Sequence, residues 1–117
     1  MKWKIVYYRE CTKQPVKQYF DNLDSKTKAK ILRNLQLLAE FGPELGWPYI
    51  SKIRDKIWEL RTTHGGNQYR ILFALLSGNE VLLLHGIHKK TRKLLANDIN
   101  IASNRLERFL TSRKDGG

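Results

Sequence analysis

The chain has 117 residues, which suits one domain around one hydrophobic core. Lysine and arginine total 22 against 11 acids, a formal charge of +11. That balance points to a polyanionic partner, with an acidic protein as the other reading. The single cysteine, Cys11, excludes an internal disulfide and any multi-cysteine zinc site, and it fits a reducing compartment. Met1 to Tyr8 alternates and contains Lys2 and Lys4, so it does not read as a signal peptide. The apolar run Ile71 to Leu76 is too short to span a bilayer. A soluble, cytoplasmic protein is expected.

Trp3 to Tyr8 is rich in β-branched and aromatic residues and predicts a first strand. Pro15 suits the first turn of a helix, where a missing N–H costs nothing. Val16, Tyr19, Phe20 and Leu23 follow at helical spacing, and this short helix ends near Asn22. Asp24 or Ser25 can cap a second helix, with Ile31, Leu32, Leu35, Leu38 and Ala39 as its apolar stripe. Lys26, Lys28, Lys30 and Arg33 fall mostly on the other side, which reads first as a solvated face. Gly42 and Pro43 stop the helix. The two helices form a hairpin lying on a sheet.

Glu44 to Asp55 is a connection punctuated by Pro and Gly, with room for a short strand around Tyr49 to Ile53. Three central strands follow: Ile57 to Arg61, Tyr69 to Leu76, and the stretch Val81 to Arg92, an apolar run that ends in two adjacent lysines and an arginine. His64 to Asn67 and Ser77 to Asn79 are the turns, so the second and third of these strands pair antiparallel. A last helix runs from about Asn97 to Thr111, with Leu95, Ile99, Ala102, Leu106 and Phe109 facing the core and Asn104, Arg105 and Arg108 off that stripe. Ser112 to Gly117 reads as a frayed tail. The order β-α-α-β-β-β-α predicts a single α+β domain with a mostly antiparallel sheet.

Alternation sorts the side chains of the central strands. Trp58 and Leu60 share a core face, while Glu59 and Arg61 point to a more polar one. Arg70 lies opposite the apolar set Tyr69, Ile71, Phe73 and Leu75, and is expected at the rim with its guanidinium in a groove. Arg61, Arg70, Lys89 and Lys90 gather on or near one surface suited to a phosphodiester backbone. Lys56, Arg92 and Lys93 extend it as RNA-binding cations. Cleavage of RNA by its own 2′-OH needs a base, cations for the phosphate and an acid for the leaving oxygen. The guanidiniums of Arg61 and Arg70 match phosphate oxygens. Lys89 or Lys90 could add charge or, with its pKa depressed by neighbouring cations, exchange protons. Glu59 or His88 could act as base. His85 reads first as a satisfied core histidine, and His64 as a loop residue. The histidines and acids show no metal-ligand spacing, and no cofactor is called for.

IWELR, then YRILF, then VLLLHGIHKKTRK, then a helix carrying Ile99, Ala102 and Arg105 resemble the phage-derived, HigB-type branch of the RelE/ParE toxin superfamily. The resemblance covers nearly the whole chain, and the paired lysines are its most specific part. It implies a small antiparallel sheet with an N-terminal helical hairpin and a C-terminal helix. The implied activity is ribosome-dependent mRNA cleavage by the toxin half of a type II toxin–antitoxin module. The implied partners are the ribosome, mRNA and a helix-turn-helix antitoxin of HigA type that forms a hetero-oligomer with the toxin. On this resemblance Arg70 matches the arginine that contacts the scissile phosphate, and Arg61 the arginine ending the preceding strand. Lys89 and Lys90 fall where such toxins carry their next basic residue. Glu59 stands where RelE itself has a lysine, and Leu94 and Leu95 replace a frequent Thr-Pro. Two alternatives remain: a gyrase inhibitor of ParE type, and a binding module without chemistry.

An electrostatic clamp sets a salt dependence. Binding to single-stranded RNA should fall with salt at a log–log slope of about −0.7 per phosphate contacted. Titrations across a range of salt concentrations measure it, and a flat response contradicts the clamp.

Overall fold

The computed structural model describes residues 2–89 and 96–115, and for His88, Lys89, Lys114 and Asp115 the backbone alone. The elements run β1 (Lys4–Tyr7), α1 (Pro15–Asp21), α2 (Ser25–Phe41), a 3-10 turn (Gly42–Leu45), β2 (Ile50–Arg54), β3 (Ile57–His64), β4 (Asn67–Leu76), β5 (Glu80–Lys89) and α3 (Ala96–Asp115). The sheet order is β1-β5-β4-β3-β2. All pairings are antiparallel except β1 with β5. The predicted α+β fold with a helical hairpin and a C-terminal helix is the one observed. The connection does supply a further strand, β2, on the outer side of β3.

Local chemistry explains the boundaries. Asp24 is the N-cap of α2, and its carboxylate accepts from the Thr27 N–H at 3.3 Å. That bond holds its pKa below the ordinary carboxylate value. Pro15 opens α1. Gly42 ends α2 at φ +60, and a Cβ there would run into the Trp3 indole. Gly65 and Gly66, both at positive φ, make the tight turn between β3 and β4. Consequently His64, expected in the turn, closes β3 as the partner of Asn67.

Strand alternation feeds two cores. On one face Leu60, Tyr69, Ile71, Phe73, Val81 and Leu83 pack against Val16 and Phe20 of α1 and Ile31, Leu35 and Leu38 of α2. On the other, Ile57, Leu72, Ala74, Leu82, Leu84 and Ile87 pack against Ala102 and Leu106 of α3. A Leu or Phe fully withdrawn from water contributes about 1.5–3 kcal/mol, so each layer is worth far more than any single polar contact. A register shift at Leu72/Phe73 passes over Leu84 and turns His85 toward α3. Leu32, expected in the stripe of α2, is 41% exposed, because that stripe is already filled by Ile31 and Leu35. The stretch 112–115, expected to fray, continues α3 instead. Arg113 Nη1 donates to Glu80 at 2.8 Å and secures the last turns. That pairing lowers the Glu80 pKa and raises that of Arg113.

Two further contacts fix the layers. Tyr19 lies over Gly86 of β5, and its hydroxyl donates to the Ile87 carbonyl at 2.9 Å. Burial raises its pKa well above the ordinary phenol, so the hydroxyl remains a donor. On the opposite face Asp98 accepts from His85 Nε2 at 2.9 Å, and Arg105 donates to the Leu84 carbonyl at 2.7 Å. Arg105, expected off the stripe, is therefore half-buried and part of the α3 anchor.

A Cβ on Gly86 would come within 2.4 Å of the Tyr19 ring. Gly86→Ala should therefore destabilise the protein by about 1–3 kcal/mol through overpacking. Urea melts measure the loss, and it should shrink in a Tyr19→Leu background. An equal loss in both backgrounds would place the strain elsewhere.

Candidate functional site

The site begins with a like-charge problem. Antiparallel register sets Arg61 of β3 directly opposite Arg70 of β4. Two cations at that spacing repel. Glu59, two residues before Arg61 on the same strand face, supplies the compensation. Its Oε2 accepts from Arg61 Nη1 at 3.0 Å and from the Ser51 hydroxyl of β2 at 2.6 Å. Its Oε1 faces Arg70 Nη1 at 3.4 Å. The trio thus sets two guanidiniums against one carboxylate, across adjacent strands of a rigid sheet.

Burial separates the two arginines. The Arg70 side chain is 5% exposed and that of Arg61 is 23% exposed. The expectation that Arg70 stands at the rim with its guanidinium open is corrected. It occupies the middle of β4, between β3 and β5, opposite both Arg61 and Ile87. Neighbours on both sides close over its stem, and Glu59 offsets the cost of burying its charge. Glu59, expected on a merely polar face, is 3% exposed for the same reason. Arg61 is the guanidinium that reaches water.

Arg61 has a second support. Its guanidinium lies over the Trp47 ring, 4.4 Å from the centroid. Its backbone N–H donates to the Tyr49 carbonyl at 2.7 Å. From the helical side, Asn34 of α2 donates to Thr62 Oγ1 at 3.0 Å and to the Arg61 carbonyl at 3.4 Å. Lys30 reaches the Thr63 carbonyl, so this lysine ties α2 to β3 rather than simply facing solvent.

The remaining predicted residues divide. The backbone of Lys89 pairs with Gln68, and that of His88 with Tyr69, at the end of β5 that flanks Arg70. Lys90, Arg92 and Lys93 lie outside the described residues. Lys56 is exposed in the turn between β2 and β3, five residues from Arg61, and at about 3.3 Å per residue roughly 16 Å away. It is not brought to the trio. His85 sits between Asp98 and Arg105, whose Nη1 approaches its Nδ1 at 3.5 Å. A guanidinium can only donate, so Nδ1 accepts and Nε2 carries the proton toward Asp98. No group of three or more His, Cys, Asp or Glu among the described residues could hold a metal ion. No helix among them is long and apolar enough to cross a membrane.

Sequence reasoning missed Ser51, Trp47 and Asp98. Ser51 carries no signal of its own, because its role depends on β2 pairing with β3 in one register. Trp47 is 68% exposed, which composition cannot reveal. Asp98 did leave a trace: it stands four residues before Ala102, in phase with the apolar stripe of α3. An acid in that position announces a buried partner, here His85.

Residues 18–107 match the family described as "Phage derived protein Gp49-like". The chain is 33% identical over 108 residues to a Mycobacterium tuberculosis protein named "Putative toxin HigB3", spanning 87% of this chain and 93% of that one. The glutamate-braced arginine pair is thus carried on a sheet, helical hairpin and C-terminal helix of the expected kind, and the chain belongs to the phage-derived Gp49-like family, the HigB-type branch of the RelE/ParE toxins of type II toxin–antitoxin systems.

Proposed function

We propose that this toxin is a ribosome-dependent endoribonuclease, cutting mRNA by attack of a ribose 2′-OH on the adjacent phosphate. The observation that carries the reading is the trio itself: two arginines braced by one buried carboxylate, with one guanidinium at the surface of a +11 protein. A phosphate gaining charge in the transition state needs fixed cations already in place. Arg61 would bind a phosphate oxygen directly through the part of its fork not committed to Glu59. Arg70 would add charge from behind. Glu59 would act as a positioning residue: one of its oxygens holds two hydrogen bonds, and the other faces a second guanidinium. Proton transfer would then fall to His88, Lys89 or Lys90 at the end of β5. The ribosome would present the message, which suits a chain with no two-histidine centre among the described residues. An antitoxin of HigA type, with a helix-turn-helix, would neutralise the toxin in the cytoplasm.

Primer extension on an mRNA translated by purified ribosomes tests this. Cuts should require both ribosomes and the protein. Arg61→Ala should lower the cutting rate by about 100-fold or more while the protein stays folded. Arg70→Ala is a poorer probe, because breaking a buried pair costs about 3–5 kcal/mol of stability. Intact message in the presence of folded wild-type protein would sink the nuclease reading. Gyrase-linked DNA breaks on induction would then favour inhibition of the ParE type.

A further inference from the structure

An exposed tryptophan calls for an explanation. Trp47 is 68% exposed, the largest value among the exposed large hydrophobic residues described. Its indole is held in place on three counts. The turn that carries it is closed by Tyr49 N–H and Ile50 N–H, both donating to the Gly46 carbonyl at 3.0 Å. The same turn is tied to β3 by the Arg61 N–H. One ring face is covered by the Arg61 guanidinium. Arg61 is itself fixed by Glu59. The other ring face is left to solvent. Tyr49, two residues on, is 39% exposed.

The arrangement is a flat aromatic surface with a cation against its back face, within reach of a phosphate that passes the ring edge. A nucleotide offers the complement, a flat base and a phosphate on one sugar. Stacking is indifferent to base identity, because every base has a π-face. A surface aromatic can also anchor a protein partner. Here the ring is backed by a guanidinium rather than by apolar neighbours, and the chain carries +11, so the charge favours RNA. We propose that the open face of Trp47 is a stacking platform for an unpaired RNA base next to the phosphate held by Arg61. This rests on the phosphate-binding reading of Arg61 and adds a base subsite to it. Because the platform and the cation are pre-organised, little ordering is needed on binding.

The test compares a short single-stranded RNA with inorganic polyphosphate, which has the charge but no bases. Wild type, Trp47→Ala and Trp47→Phe are titrated with each, and indole emission is followed. Trp47→Ala should weaken RNA binding by about 5- to 100-fold and weaken polyphosphate binding far less. Trp47→Phe should recover much of the loss, and RNA alone should quench wild-type emission. Equal losses for both ligands would mean that Trp47 acts by orienting Arg61, which overturns the stacking platform. Unchanged RNA binding, or no binding by wild type, also overturns it. So does retained RNA binding with lost neutralisation by antitoxin, which makes this face a protein-docking surface. Translation-dependent cutting that survives Trp47→Ala unaltered removes the base subsite and leaves the nuclease reading standing. Selective RNA loss in a protein that never cuts would do the reverse.

Discussion

A carboxylate buried between two arginines is the constraint from which the functional face follows. Without Glu59, the register that sets Arg61 against Arg70 would put two like charges side by side within a sheet. With it, the charges are held at 3.0 and 3.4 Å and the strands keep their pairing. The pairing in turn aims Arg61 at the Trp47 turn and leaves Arg70 within the sheet. The trio demands a β2 strand as well, because the Ser51 hydroxyl occupies the remaining good acceptor site on Oε2. A short strand that looks incidental in the sequence thereby becomes part of the site.

The sheet face that carries the trio does two jobs along its length. Ile57, Leu72, Ala74 and Leu82 give it an apolar end, and α3 packs there. Glu59, Arg61 and Arg70 give it a charged end beyond that contact. The boundary between the two is marked by polar anchors rather than by more apolar area: His85 with Asp98, and Arg105 with the Leu84 carbonyl. Directional bonds fix where α3 lies on the sheet, whereas apolar packing alone would permit sliding. The far end of the helix is secured in the same way, by Arg108 with Glu10 at 2.7 Å and by Arg113 with Glu80.

Features set by local chemistry were legible in the sequence. Asp24, Pro15 and Gly42 mark helix ends through backbone groups within a few residues, so their meaning survives without tertiary context. The alternation in YRILFALL set Ile71 and Phe73 on an apolar face away from Arg70, and both lie in the core beneath the helical hairpin. Exposure was not legible. Arg70 was expected at a rim because arginine seldom lies in a sheet's interior, and the compensating carboxylate sits on another strand, eleven residues upstream. The register that joins them is decided by turn length and by both cores together. The same holds for Trp47, whose partner Arg61 is fourteen residues away.

The placement of Glu59 bears on how proton transfer would be divided under the proposed nuclease reading. A general base needs a lone pair aimed at the substrate and a reason to take up a proton. Glu59 turns its oxygens to its neighbours instead: Ser51 and Arg61 donate to one, and Arg70 faces the other. On the proposed reading, the same arrangement would serve phosphate binding. Two guanidiniums held against one carboxylate leave the trio with net positive charge. On the proposed nuclease reading, the base and acid would fall to groups outside the trio, whose own contacts are those that hold the sheet together.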